Sequence, residues 1–226
     1  MEDLRPNVQR AKNAVTLLWI VLALEIISLI SGYFQYKLLK VVANGGEISM
    51  NTANANDIRE RIIAILYLIV FIISTVTFIQ WFRRAYYNLH LKVYHLSFTE
   101  GWAAGSWFAP VICLYRPYQI MKELYQQTID LLTRKGLLLH QSLTTNALGW
   151  WWALWIINNL LGQFVFRYSL KAETVDELIV STVAGIVSNI IGIPLALLAI
   201  KVVKDYSSVE PLLNEIKEEE VIAEIN

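Results

Sequence analysis

Four apolar stretches dominate the pattern of hydrophobic and polar positions: residues 14–36, 58–82, 148–168 and 178–203. The first carries a single charge, Glu25; residues 62–80 of the second carry none, and the fourth none before Lys201. At 1.5 Å per residue, a helix over 14–36 reaches about 34 Å, enough to cross a hydrocarbon core of about 30 Å with some tilt. The pattern therefore predicts an all-α fold: a polytopic membrane helical bundle with four spanning helices, in one membrane domain covering residues 1–226.

The middle of the chain departs from this rule. Residues 101–116 are apolar but short, and Pro110 interrupts them. Fourteen helical residues reach only about 21 Å, so the stretch predicts a re-entrant or interfacial segment. There Pro110 is expected to face protein or a cavity, with Gly101 and Gly105 allowing close approach to a neighbouring helix. Residues 118–135 then place Ile120, Met121, Leu124, Tyr125, Thr128, Leu131 and Leu132 on one helical face, with Lys122, Glu123, Gln126, Gln127 and Asp130 opposite. That is an in-plane amphipathic helix, lying on the membrane surface or against the bundle.

Local signals set the expected boundaries. Asn44-Gly45-Gly46 and the Asn/Ala/Thr run after it read as loop, and Asp57 with Glu60 reads as an acidic capping box opening the second helix. Trp81, Trp150, Trp151 and Trp152 lie at helix ends, where aromatic belts belong, and Trp102 and Trp107 flank the short segment. Residues 205–226 form an acidic tail, expected as an exposed helix or as disorder.

Composition agrees with the pattern. Of 226 residues, 56% are hydrophobic and 17% charged, against about 25% charged for a soluble domain. Mean hydropathy is +0.45. Net charge is zero, which gives no support to nucleic-acid binding, and the one cysteine, Cys113, permits no intrachain disulfide. The first apolar run is too long for a cleaved signal and reads as an anchor. Charge bias sets orientation. Four spans place 13 Lys and Arg on the side of the termini and 6 on the other, so both termini are expected in the cytoplasm.

Several stretches of the middle region resemble a known family. They are Gly101-Trp102-Ala103-Ala104-Gly105, Trp107-Phe108-Ala109-Pro110 and the run Arg116-Pro117-Tyr118-Gln119-Ile120-Met121-Lys122-Glu123-Leu124. Arg83-Arg84-Ala85-Tyr86-Tyr87-Asn88-Leu89 and Gly149-Trp150-Trp151-Trp152 add to the likeness. Together they resemble the uncharacterised membrane family catalogued as domain-of-unknown-function family 4328, over roughly residues 60–205. The resemblance implies a bacterial inner (cytoplasmic) membrane protein of several spans. It implies no activity and carries no catalytic residue.

Candidate chemistry is sparse. Glu25 lies mid-span, where a carboxylate costs about 2.5–3.5 kcal/mol on insertion scales. Ser74, Asn158, Asn159 and Asn189 fall near the middle of the other three spans. Two readings of this midplane cluster stand: an ion or proton site, or interhelical hydrogen bonds that hold the bundle in register. Ala184, Ser188, Gly192 and Ala196, four apart, form a small-residue ladder that lets another helix approach, within the chain or from a second subunit. Arg83, Arg84 and Lys92 are head-group candidates, or plain positive-inside anchors. His90, His95 and His140 are scattered, and the sequence offers no metal set, cofactor motif or catalytic constellation.

The expected function is accordingly a non-enzymatic assembly or scaffold component of the membrane. The lipid bilayer is the expected partner, with a second copy or another membrane protein beside it. An ion- or proton-coupled transporter using Glu25 is the alternative, and a lipid-directed enzyme the third reading.

Overall fold

Ser49 sets the start of the second helix: its Oγ accepts the Thr52 amide at 3.1 Å, an N-cap that turns the Asn/Ala/Thr run into helix. In the computed structural model, which describes residues 4–137 and 143–216, α1 is Val8–Ala43 and α2 is Met50–His90. Two expectations fail here. The 51–57 stretch is helical, and Asp57 with Glu60 caps nothing, because the helix begins two turns earlier. A reciprocal capping box does occur, at Thr174 and Glu177: the Glu177 amide donates to Thr174 Oγ1 at 3.3 Å, and the Thr174 amide donates to Glu177 Oε2 at 3.0 Å. It opens α6, Val175–Val209.

The chain is helical throughout, with no strand among the described residues. α3 (Glu100–Gly105), a 3₁₀ turn (Ile112–Leu114), α4 (Arg116–Arg134), α5 (Asn146–Ser169) and a second 3₁₀ turn (Glu210–Glu215) complete it. Three helical runs are long and apolar enough to cross a membrane: Val8–Ala43, Met50–His90 and Val175–Glu215. α5 carries four tryptophans and three asparagines in its 24 residues, which lower its hydropathy below the other three.

The chain divides into two compact units. One holds residues 17–73 and 153–197, the apolar helical lengths. The other holds residues 1–16, 74–152 and 198–226. In this second unit α4 buries every predicted stripe position, from Ile120 to Leu132. Tyr125 donates to the Val202 carbonyl at 2.6 Å, and Thr128 meets the Tyr206 hydroxyl at 3.3 Å. The apolar face of α4 is thus spent on protein.

Residues 205–216 of the tail belong to this core too. Tyr206, Val209, Leu213 and Ile216 are buried at spacings of three or four, which corrects the expectation of an exposed tail. Glu218, Glu219, Glu220 and Glu224 lie outside the described residues, as does His140. Trp81, Trp151 and Trp152 are buried as well. They pack with Phe78 and Trp107 at centroid distances of 5.4–6.5 Å, and of the expected belt only Trp150 is exposed. The 101–116 stretch is two short helical pieces joined by turns. Pro110 is exposed rather than covered. A side chain on Gly105 would meet nothing, and one on Gly101 only Thr99 Oγ1 at 3.8 Å, so neither glycine serves a close approach.

Candidate functional site

In the apolar unit, the polar side chains of α2 collect on one face. Asn56, Glu60, Tyr67 and Ser74 recur at four- and seven-residue intervals, which a helix aligns. Opposite them Ile58, Ile62, Ile65, Ile69 and Ile72 are all about half exposed. Polar inward and apolar outward is the arrangement a lipid environment selects.

Glu25 is 3% exposed. Tyr67 donates its hydroxyl to Glu25 Oε1 at 2.6 Å. On the other side lies Gly192: a Cβ there would come within 2.5 Å of Glu25 Cδ and 2.7 Å of Oε2, so glycine leaves the space the carboxyl fills. α1, α2 and α6 are joined through these three residues. One turn up a neighbouring face, Gly32 of α1 lies against Ile186 of α6, where a Cβ would stand 3.1 Å from Cγ1.

The expected polar cluster takes a different form. Asn158 accepts a hydrogen bond from Ser188 at 2.9 Å. Its neighbour Asn159 donates to the Trp155 carbonyl of its own helix at 2.8 Å. Asn189 is half-buried, and Ser74 is buried among the residues of the other unit. The carboxyl of Glu25 is met by Tyr67, not by an asparagine. The small-residue ladder is occupied inside the chain: Ser188 by Asn158, Gly192 by Glu25, with Ala196 buried and Ala184 half-buried.

Two polar groups escaped the sequence reasoning in this unit. Tyr67 is the only tyrosine in residues 62–80, and that was the available signal. The second is a network in which Ser31 donates to Glu60 Oε1 at 2.5 Å and accepts Arg59 Nε at 2.7 Å, while Arg59 Nη2 reaches Asn56 Oδ1 at 2.7 Å. It ties α2 to α1 a further two turns along.

The other unit contains a buried polar knot, also missed. Asn88 exchanges two hydrogen bonds of 3.0 Å with the backbone of Arg5. It also donates to Glu210 Oε1 at 2.7 Å. Asn7 donates to both Glu210 oxygens, at 2.9 and 3.1 Å. Burial raises the Glu210 carboxyl above the usual carboxylate range, opposed by the two asparagine donors. Of the head-group candidates, Arg83 pairs with Glu100 at 3.0 Å and Lys92 donates to the Ile216 carbonyl at 2.9 Å. Arg84 is half-buried beside Arg10 and Arg5.

The motif residues build structure around the aromatic core. The Arg116 guanidinium lies 4.7 Å from the Phe98 ring centroid, Pro117 is buried in the first turn of α4, and Tyr118 stacks on Trp152 at 6.0 Å. Trp152 donates to the Leu114 carbonyl at 3.0 Å, fixing the 3₁₀ turn. Trp102 and Gly101 remain exposed.

A family profile described as Domain of unknown function (DUF4328) matches residues 44–208. The chain belongs to this family. The DUF4328 match begins at the end of α1 and runs to the last turn of α6, so it takes in Tyr67, Gly192 and the whole aromatic core. No curated protein and no solved structure matches the chain.

Proposed function

We propose that this DUF4328 protein is a non-enzymatic assembly component of the bacterial inner membrane, with four spans and both termini in the cytoplasm. α5 is the fourth span in this reading, with the hydrogen bond of Asn158 to Ser188 satisfying one of its polar groups within the chain. The 13-to-6 bias of basic residues supports the orientation.

The observation that carries assembly is the outer face of α2. Ile58, Ile62, Ile65, Ile69 and Ile72 alternate steps of four and three, the spacing of a coiled-coil seam, and every one is exposed. The apolar window of α2 is the most hydrophobic of the three spanning candidates and only 17% buried. The small-residue ladder is committed within the chain, so the isoleucine seam is the face left for a partner, and we assign it to a second copy. Transport through Glu25 has less support, because the Tyr67 and Gly192 contacts account for the carboxyl as a lock between helices.

Cross-linking tests the seam. In a Cys113→Ala background, oxidation of Ile65→Cys or Ile69→Cys protein in native membranes is expected to give a disulfide-linked dimer, and Phe71→Cys protein none. Equal monomer at all three positions means that lipid alone covers the seam, and the assembly reading fails.

A further inference from the structure

The first two turns of α1 and the C-terminal end of α6 border a cavity of about 560 Å³ within the unit that holds the polar knot. Its lining changes character along its length. Val8, Ala11, Val15 and Val203 make an apolar wall, while Arg5, Lys12 and Lys204 supply three cationic side chains, all exposed. Thr16 and Val203, also lining it, stand at the start of the first span and the end of the last. The cavity therefore lies at the level where chain passes from water into hydrocarbon.

One acid lines it, Glu210, and both its oxygens are engaged by the amides of Asn7 and Asn88. The cationic character extends past the rim. Burial first, and then the like charges of Arg10 and Arg5, press the Arg84 guanidinium below its usual basicity. Crowding of positive charge beside a single, fully hydrogen-bonded carboxyl is favourable when an anion is present. A phosphate alone would use the basic rim and leave the apolar wall uncovered; a phosphodiester continued by acyl chains uses both.

We propose that this cavity seats the head group of an anionic glycerophospholipid, its phosphate held by Arg5, Lys12 and Lys204 and its first acyl carbons laid along Val8, Ala11 and Val15. The inference rests on the membrane placement of α1 and α6 and is independent of assembly through α2. The site is distinct from the Arg83 and Lys92 positions, whose charges are used inside the protein.

Native mass spectrometry of the full chain in neutral detergent tests it, with phosphatidylglycerol, phosphatidylcholine and glycerol phosphate as probes. Wild-type protein is expected to retain one phosphatidylglycerol in preference to phosphatidylcholine. Lys12→Gln/Lys204→Gln protein should bind it about thirtyfold more weakly, from roughly tenfold or a little less per basic residue. Val15→Trp, which keeps the charges and fills the apolar wall, should also weaken lipid binding. Lys37→Gln/Lys40→Gln, at the other end of α1, should leave it unchanged. Undiminished binding by the double lysine variant, or equal retention of phosphatidylcholine, overturns the proposal. So does glycerol phosphate displacing the lipid at equal concentration, which would make the occupant a soluble phosphate ester.

Discussion

Replacing Gly192 by alanine should reverse its effect according to what stands at position 25. In the wild-type background the new methyl group overlaps the Glu25 carboxyl, at distances that real Cβ atoms do not adopt. The carboxyl must move, and moving it breaks the 2.6 Å bond from Tyr67. An interhelical hydrogen bond in a membrane contributes about 0.6–1.7 kcal/mol, and leaving a buried acceptor unmade adds about 1–3 kcal/mol. Against this, alanine favours a helix by about 1 kcal/mol over glycine. The net expectation is a loss of roughly 1–2 kcal/mol. In a Glu25→Ala background there is no carboxyl to displace, so only the helix term remains and Gly192→Ala should stabilise by up to about 1 kcal/mol. The coupling between the two positions is then about 2–3 kcal/mol, well beyond the ~0.5 kcal/mol within which independent sites add. Reversible unfolding of the four proteins in detergent measures it. Additive effects, with Gly192→Ala costing the same in both backgrounds, would refute the claim that glycine is there to seat the carboxyl.

Other consequences are open to simpler tests. Val111 has φ +65°, which a β-branched residue adopts at a cost of about 1–2 kcal/mol; after glycine's own entropic cost, Val111→Gly should raise stability by about 0.5–1 kcal/mol, and a lower melting temperature would contradict this. Glu210 has its folded-state pKa raised by burial above 4.5, so its folded form holds the proton more tightly. Stability is greatest at low pH and falls as pH rises from 4.5 through the folded value. The melting temperature of Glu210→Gln protein relative to wild type should therefore climb with pH, and a flat difference would remove Glu210 as the titrating group. Single cysteines at Ser49 and Glu173, after Cys113→Ala, should react with an impermeant thiol reagent in intact cells, and cysteines at Asn7 and Asn214 should not. Labelling of Asn214 but not Asn7 would place an odd number of spans between them.

Much of the helical frame was legible in the sequence because each helix announces itself through its own periodicity. The α4 stripe is the clearest case: all seven predicted positions are buried, since the 3.6-residue repeat is local information. The start of α2 was not legible. A run of Asn, Ala and Thr reads as loop in isolation, yet a long apolar helix propagates into weak neighbours once Ser49 supplies a cap. Glu25 stood out as a mid-span acid, but its partners depended on how α1, α2 and α6 are rotated about their axes. Sequence gives depth along a helix and not that rotation, so the asparagines of α5 looked as suitable as Tyr67. The tail misled for a related reason. The buried spacing of Tyr206, Val209, Leu213 and Ile216 was present, and the acids after residue 217 drew the reading toward solvent.

Assembly through α2 is the central functional claim, and mass measured in native-lipid nanodiscs tests it most directly. The account predicts particles holding two or more copies of the 25.9 kDa chain, falling to single copies when Ile65 and Ile69 are both replaced by alanine. A single 25.9 kDa copy in the wild-type protein would contradict it.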